Sequence, residues 1–88
     1  MPVLSQFFGI AIYLYNEDTE KHHAPHIHAF YAENEASFDL RGKKLAGTFP
    51  RKQTKILQAW ILIHEEELAA AWRIYQKSGE IIKIEGLR

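Results

Sequence analysis

The chain has 88 residues, 47% of them hydrophobic, with 11 Lys and Arg balanced by 11 Asp and Glu, and it contains no cysteine. This length predicts one domain over residues 1–88 with a thin core that favours association, and the missing thiols remove disulfides and thiolate metal sites, which fits a cytoplasmic location. The longest strictly apolar run, Ala59 to Ile63, is far short of the ~18 residues of a membrane span; the opening residues show no signal-peptide pattern, and zero net charge argues against non-specific nucleic-acid binding by the whole molecule.

In chain order, Phe7 to Tyr15 alternates around Ile10, Ile12 and Leu14 and reads as a first strand. Asn16 to Lys21 is polar and acidic, a hairpin-type connection. Four of the five histidines then fall within the seven residues His22 to His28. Pro25 biases Ala24 toward extended backbone, and a second strand follows from His26 to Ala32. Side chains two apart on a strand share a face, so His26 and His28 stand side by side. Glu33 and Asn34 form a turn, Glu35 to Arg41 a third strand, and Lys43 to Phe49 a fourth that Gly47 weakens.

Pro50 suits the start of a helix. Beyond it the hydrophobic period changes to about 3.6, and Ile56, Leu57, Trp60, Ile61, His64, Leu68, Ala71, Trp72 and Tyr75 form one stripe as far as the stop at Gly79. A straight helix from Gln53 to Lys77 would measure ~37 Å, too long for a domain with a radius of gyration of ~12 Å. A bend or break is therefore expected near His64 and Glu65, where three glutamates suit a second helix start. Ile81 to Glu85 reads as a short last strand. The expected fold is α+β: a mostly antiparallel sheet of three or four strands, a long or bent helical segment on one face, and a short C-terminal strand. The other sheet face would be open and carry Tyr13, Tyr15, His26, His28, Phe30, Ser37, Asp39 and Arg41.

Three functional readings follow from these residues. A zinc-type site needs three or four convergent ligands; His22, His26 and His28 supply three, with Asp39 as a fourth. A metal-independent ribonuclease needs paired acid–base groups and a cation for the charged phosphorane; His26, His28, Tyr13 and Arg41 are the candidates. A binding module needs an exposed anchor surface. Between Leu40 and His64 every charged residue is basic, and Arg41, Lys43, Lys44, Arg51 and Lys52 are candidate nucleic-acid contacts, with Lys55 in the same run. His64, Trp60 and Trp72 read as packing residues of the apolar stripe. Phosphate loops and dinucleotide fingerprints are absent from the sequence, so no nucleotide cofactor is expected.

The run Lys21-His22-His23-Ala24-Pro25-His26-Ile27-His28 resembles the Asp-His-x-Pro-Pro-His-x-His pattern of the small bacterial family catalogued as domain of unknown function 4160. Pro50-Arg51-Lys52, then Trp60, His64, Glu67-Leu68 and Trp72, and finally Lys83 to Leu87 extend the likeness over nearly the whole chain. Lys21 stands where the family has aspartate, which weakens any scheme in which that acid orients His22, and Ala24 replaces the first proline. The resemblance implies the fold class and carries no established activity. Such families sit in two-gene units beside another small domain, numbered 2442. That implies a toxin–antitoxin-like pair, with a protein partner encoded nearby or self-association.

Overall fold

The computed structural model describes residues 3–14 and 25–87. The fold is α+β: an antiparallel sheet followed by two helices. Five strands, β1 (Ser5–Phe7), β2 (Ile10–Tyr13), β3 (His26–Tyr31), β4 (Asn34–Asp39) and β5 (Lys44–Gly47), lie in sequence order across one sheet. The helices are α1 (Arg51–Ile63) and α2 (Glu65–Ser78). No helix among the described residues is long and apolar enough to cross a membrane.

The expected sheet of three or four strands gains a fifth because Ser5–Phe7, at and before the start of the expected first strand, folds back on it as a hairpin. Phe7 pairs with Ile10 across the two-residue loop Phe8-Gly9, both residues of which have positive φ. That loop geometry matches the right-handed twist of the flanking strands, and Gly9 supplies one of the two left-handed positions without strain. Phe8 occupies the other at φ 47° with its side chain 58% exposed. A second tight hairpin joins β3 to β4 through Ala32-Glu33, one residue earlier than the expected Glu33-Asn34 turn. The connection expected over Asn16 to Lys21 lies outside the described residues.

The apolar alternation is buried as its period requires. Ile10, Ile12, Leu14, Ile27, Ala29, Ala36 and Phe38 face the helices, where Leu57, Trp60, Ile61, Leu68 and Ala71 close the core. Ser5 shares that interior, and its Oγ has no hydrogen-bond partner among the described residues. A buried hydroxyl left unpaired costs about 1–3 kcal/mol. Ser5→Ala should therefore raise stability by about 1 kcal/mol, read as a higher urea midpoint with an unchanged m-value.

The helical segment breaks at His64, where φ −108° and ψ 26° leave the helical region. A straight rod of both helices would measure ~42 Å, whereas the longest extent of the molecule is 33 Å. His64 caps both helices: its N–H donates to the Trp60 carbonyl, and its carbonyl accepts from Leu68. The first turn of α2 carries Glu65, Glu66 and Glu67, charges that suit the positive end of the helix dipole. Gly79 ends α2 in the left-handed conformation, and its N–H donates to the Tyr75 carbonyl.

The expected C-terminal strand is not a strand. Residues 81–85 run as irregular chain beside β1, tied by one backbone bond from Ile84 N–H to the Leu4 carbonyl (2.9 Å). The Trp60 indole N–H donates to the Glu85 carbonyl at 2.9 Å. Ile84 is buried and Ile81 packs against the core, so this segment is held by a side-chain anchor and apolar contacts in place of a ladder.

Candidate functional site

Two sets of polar residues stand out: the histidine pair on β3, and the basic loop between β4 and β5 together with α1. The pair follows from strand geometry. His26 and His28 share a face of β3, with ring centroids 5.1 Å apart. His28 lies opposite Tyr13 on β2 and Ser37 on β4. Tyr13 meets Phe30 edge to face at 5.4 Å. The sheet therefore gathers His26, His28, Tyr13, Phe30 and Ser37, as the alternation requires.

That face is less open than expected. His26 is only 1% exposed and Ser37 only 5%. A helix residue contributes at His26: the Trp72 ring of α2 lies 5.3 Å from the imidazole. The sequence assigned Trp72 to core packing; its position beside the histidine depends on the break at His64. The Nε2 atoms of His26 and His28 are both shut off from solvent. Tyr13, His28 and Phe30 remain half-buried.

The metal set is only partly placed. His22 lies outside the described residues, as does Tyr15. Among the described residues no group of three or more His, Asp or Glu side chains is placed to hold a metal ion. Asp39 lies opposite His26 across the β3–β4 ladder, but its carboxylate is engaged elsewhere. Oδ1 accepts the backbone N–H groups of Arg41 (2.8 Å) and Lys43 (2.9 Å).

Those two bonds build the second set. Short acidic side chains that accept nearby N–H groups fix turns. Asp39 closes the loop further through its own N–H, which donates to the Lys43 carbonyl, and its carbonyl, which accepts from Gly42. Across from the loop, the Gln58 side-chain amide of α1 donates to the Gly42 carbonyl at 2.9 Å. The loop is thus pinned from both sides, and Arg41 and Lys43 project from a fixed backbone into solvent. Gln58 escaped the sequence reading because a single amide on the polar side of a helix has no periodic signature.

Helical spacing divides the remaining cations. Arg51 and Lys55 lie on the flank of α1 that carries Gln58, seven and three residues before it, and so border the loop. Lys52 lies on the opposite flank, beside Phe8, Gln53 and Ile56. Lys44 opens the exposed edge strand β5. The five candidate nucleic-acid residues are all exposed; Arg41 and Lys43 stand on the pinned loop, and Lys52 lies on the other flank of α1. α1 also begins with two cations, no acid in its first turn and no side-chain cap. Cations there oppose the helix dipole by about 0.3–1 kcal/mol each, and a free helix start favours anions.

His64 is no part of either set. It is held in the helix junction, its Nδ1 2.6 Å from Glu67 Oε1 and its ring 5.5 Å from Trp60.

No curated protein and no solved structure matches the chain. A family profile does, over residues 9–73, a span that runs from the first hairpin turn through the histidine pair and the basic loop to the residue after Trp72. On that match the chain belongs to the family described as Domain of unknown function (DUF4160).

Proposed function

We propose that this domain is a binding module, the interaction component of a two-gene, toxin–antitoxin-like unit, and that its partner is a protein with an acidic surface. One observation carries the reading: the Gln58–Gly42 hydrogen bond ties the loop that bears Arg41 and Lys43 to the helix that bears Arg51 and Lys55. Ordering a loop before binding removes an entropic cost that would otherwise be met on association. The unfavourable placement of cations at the start of α1 supports the same reading, because local rules are broken mainly where function demands it.

The burial of the histidine pair favours binding over catalysis. A general base must come within hydrogen-bond reach of the proton it removes, and Nε2 of both rings is enclosed. The acid–base ribonuclease and the zinc-type site are the competing readings, and they share residues His26 and His28.

Co-expression with the protein encoded beside its gene tests the proposal. A complex is expected that survives moderate salt. Arg41→Ala with Lys43→Ala should weaken it at least tenfold, since truncating charges in an interface commonly costs 2 kcal/mol or more, and each ~1.4 kcal/mol is tenfold. Gln58→Ala should weaken it about fivefold by releasing the loop, equivalent to about 1 kcal/mol. If RNA is the ligand, the isolated domain will instead bind labelled single strands with a log–log salt slope of about −0.7 per phosphate neutralised, and Arg41→Ala will flatten that slope. Cleavage of the RNA, abolished by His26→Ala with His28→Ala, would replace the binding reading with the ribonuclease. A zinc-dependent rise in melting temperature, lost in the same double variant, would replace it with the metal site.

A further inference from the structure

We propose that the outer edge of β5 is a docking edge, and that a short extended segment of the acidic protein partner adds to the sheet there as a further strand. This rests on the binding-module reading and names the local form of its partner. A sheet edge presents unpaired backbone donors and acceptors, and folded proteins cover or blunt it. The two edges of this sheet differ. Beside β1 the C-terminal segment lies so close that a Cβ on Gly86 would sit 2.8 Å from the Gln6 carbonyl oxygen, and Ile84 donates to the Leu4 carbonyl. Along β5, every residue from Lys43 to Thr48 is exposed, and β4 is its one strand neighbour among the described residues.

Two backbone groups of this edge are aimed outward. In a trans peptide the carbonyl and the following N–H point in opposite directions. The Lys43 carbonyl accepts from Asp39 of β4, so the Lys44 N–H points away from β4. The Thr48 N–H donates to Glu35 of β4, so the Gly47 carbonyl points away as well. A donor and an acceptor on one exposed edge suit an extended guest, which binds through its main chain.

Charge chooses the occupant. Arg41, Lys43 and Lys44 stand at the start of the edge, and the next acid along the chain is Glu65. Of the acids on β4, Asp39 is engaged by the loop backbone, and Glu35 lies at the far end of the ladder beside Thr48. A second copy set edge to edge would bring four lysines onto one strand pair with no acid of its own. An acidic guest neutralises the same cations, so the lysines that reject a copy of this chain attract the partner. Leu45, skipped by the β4–β5 register and 47% exposed, offers an apolar contact between them. The guest therefore alternates acidic and apolar residues.

The probe is an end-blocked octapeptide of alternating valine and glutamate, titrated into the isotope-labelled full chain. NMR is expected to show binding with a Kd below about 1 mM at low salt, weakened as salt is added. Solvent exchange of the Lys44 amide should slow at least about fivefold at saturation. Lys44→Pro removes the outward donor at the first position of an edge strand, where proline is tolerated. It should weaken peptide binding at least about tenfold more than Lys44→Ala, which removes the charge alone. Lys43→Glu with Lys44→Glu repeats the test should the proline variant fail to fold: it should reject the acidic peptide and admit one of alternating valine and lysine. A wild-type chain that leaves the acidic peptide unbound at about 5 mM overturns the proposal. So does a peptide that binds Lys44→Pro and Lys44→Ala alike. A wild-type dimer lost in Lys44→Pro would make the occupant a second copy, and single-stranded RNA that slows the same amide would make it a nucleic acid; either overturns the acidic strand. A neighbour protein that binds through Arg41 and Lys43 in a chain indifferent to the peptide overturns the docking edge and keeps the binding module. A peptide that binds in a chain its neighbour ignores does the reverse.

Discussion

Replacing Gly47 by alanine is expected to cost about 3 kcal/mol or more and to release β5 from the sheet. Gly47 sits at φ 87°, a conformation that residues with a Cβ adopt only at a cost. Space forbids the change as well. An added Cβ would overlap the Glu35 carbonyl oxygen and lie 2.8 Å from Ala36 Cα. Both neighbours are backbone of β4, so no side-chain rotation relieves the contact. The ladder must open at Ala36–Gly47 instead. β5 also carries the chain from the Asp39 loop toward α1, so its release should loosen Arg41 and Lys43. Urea unfolding gives the energy, and amide exchange should show protection lost at Ala46 to Thr48 ahead of the rest of the sheet. An unchanged midpoint would mean that the β4–β5 approach is looser than the geometry describes.

Trp60→Ala should remove about 3–5 kcal/mol. A domain of this size commonly holds a total of about 4–13 kcal/mol, so the variant is expected to be partly or wholly unfolded at 37 °C. Trp60 is fully buried, stacks at 5.2 Å on Phe7 of β1, and donates to the Glu85 carbonyl. It therefore joins three parts of the fold: the first hairpin, α1 and the C-terminal segment. Trp60→Phe separates packing from the hydrogen bond. It keeps most of the apolar contact but leaves the Glu85 carbonyl without its donor, at a cost of about 1–2 kcal/mol. The loss should be local, with exchange accelerating at Ile84 while the centre of β3 stays protected.

Other features were already written into the chain. The apolar alternation of Ile10, Ile12 and Leu14, and of Ile27 and Ala29, chose the buried face of the sheet. Period two and period 3.6 are local properties of neighbouring residues, so they survive without knowledge of partners. The helix stop at Gly79 was equally local, since it needs only a residue that tolerates positive φ. A bend or break near His64 followed from helix length measured against domain size, but the continuous apolar stripe left one bent helix and two helices equally open. Side-by-side placement of His26 and His28 came from strand geometry alone.

Tertiary structure decided the rest. Phe8-Gly9 reads as strand because an aromatic residue at positive φ runs against local preference, and only pairing with β2 holds it there. Residues 81–85 alternate like a strand, but a strand exists only through its neighbour; among the described residues the chain just before β1 supplies a single backbone bond, at Leu4. His26 was expected on an open face and is buried, with Trp72 of α2 packed against its ring, a contact between residues 46 apart that no local pattern announces. The arrangement of the basic run likewise emerged only in three dimensions. Asp39 and Gln58, neither of them cationic, fix where Arg41 and Lys43 stand, and the pitch of α1 sends Lys52 to the other flank. Sequence determines what each residue prefers within a few positions along the chain. Which distant groups meet is decided by the one packing that buries the apolar stripes of sheet and helices together, and that packing is a property of the whole chain.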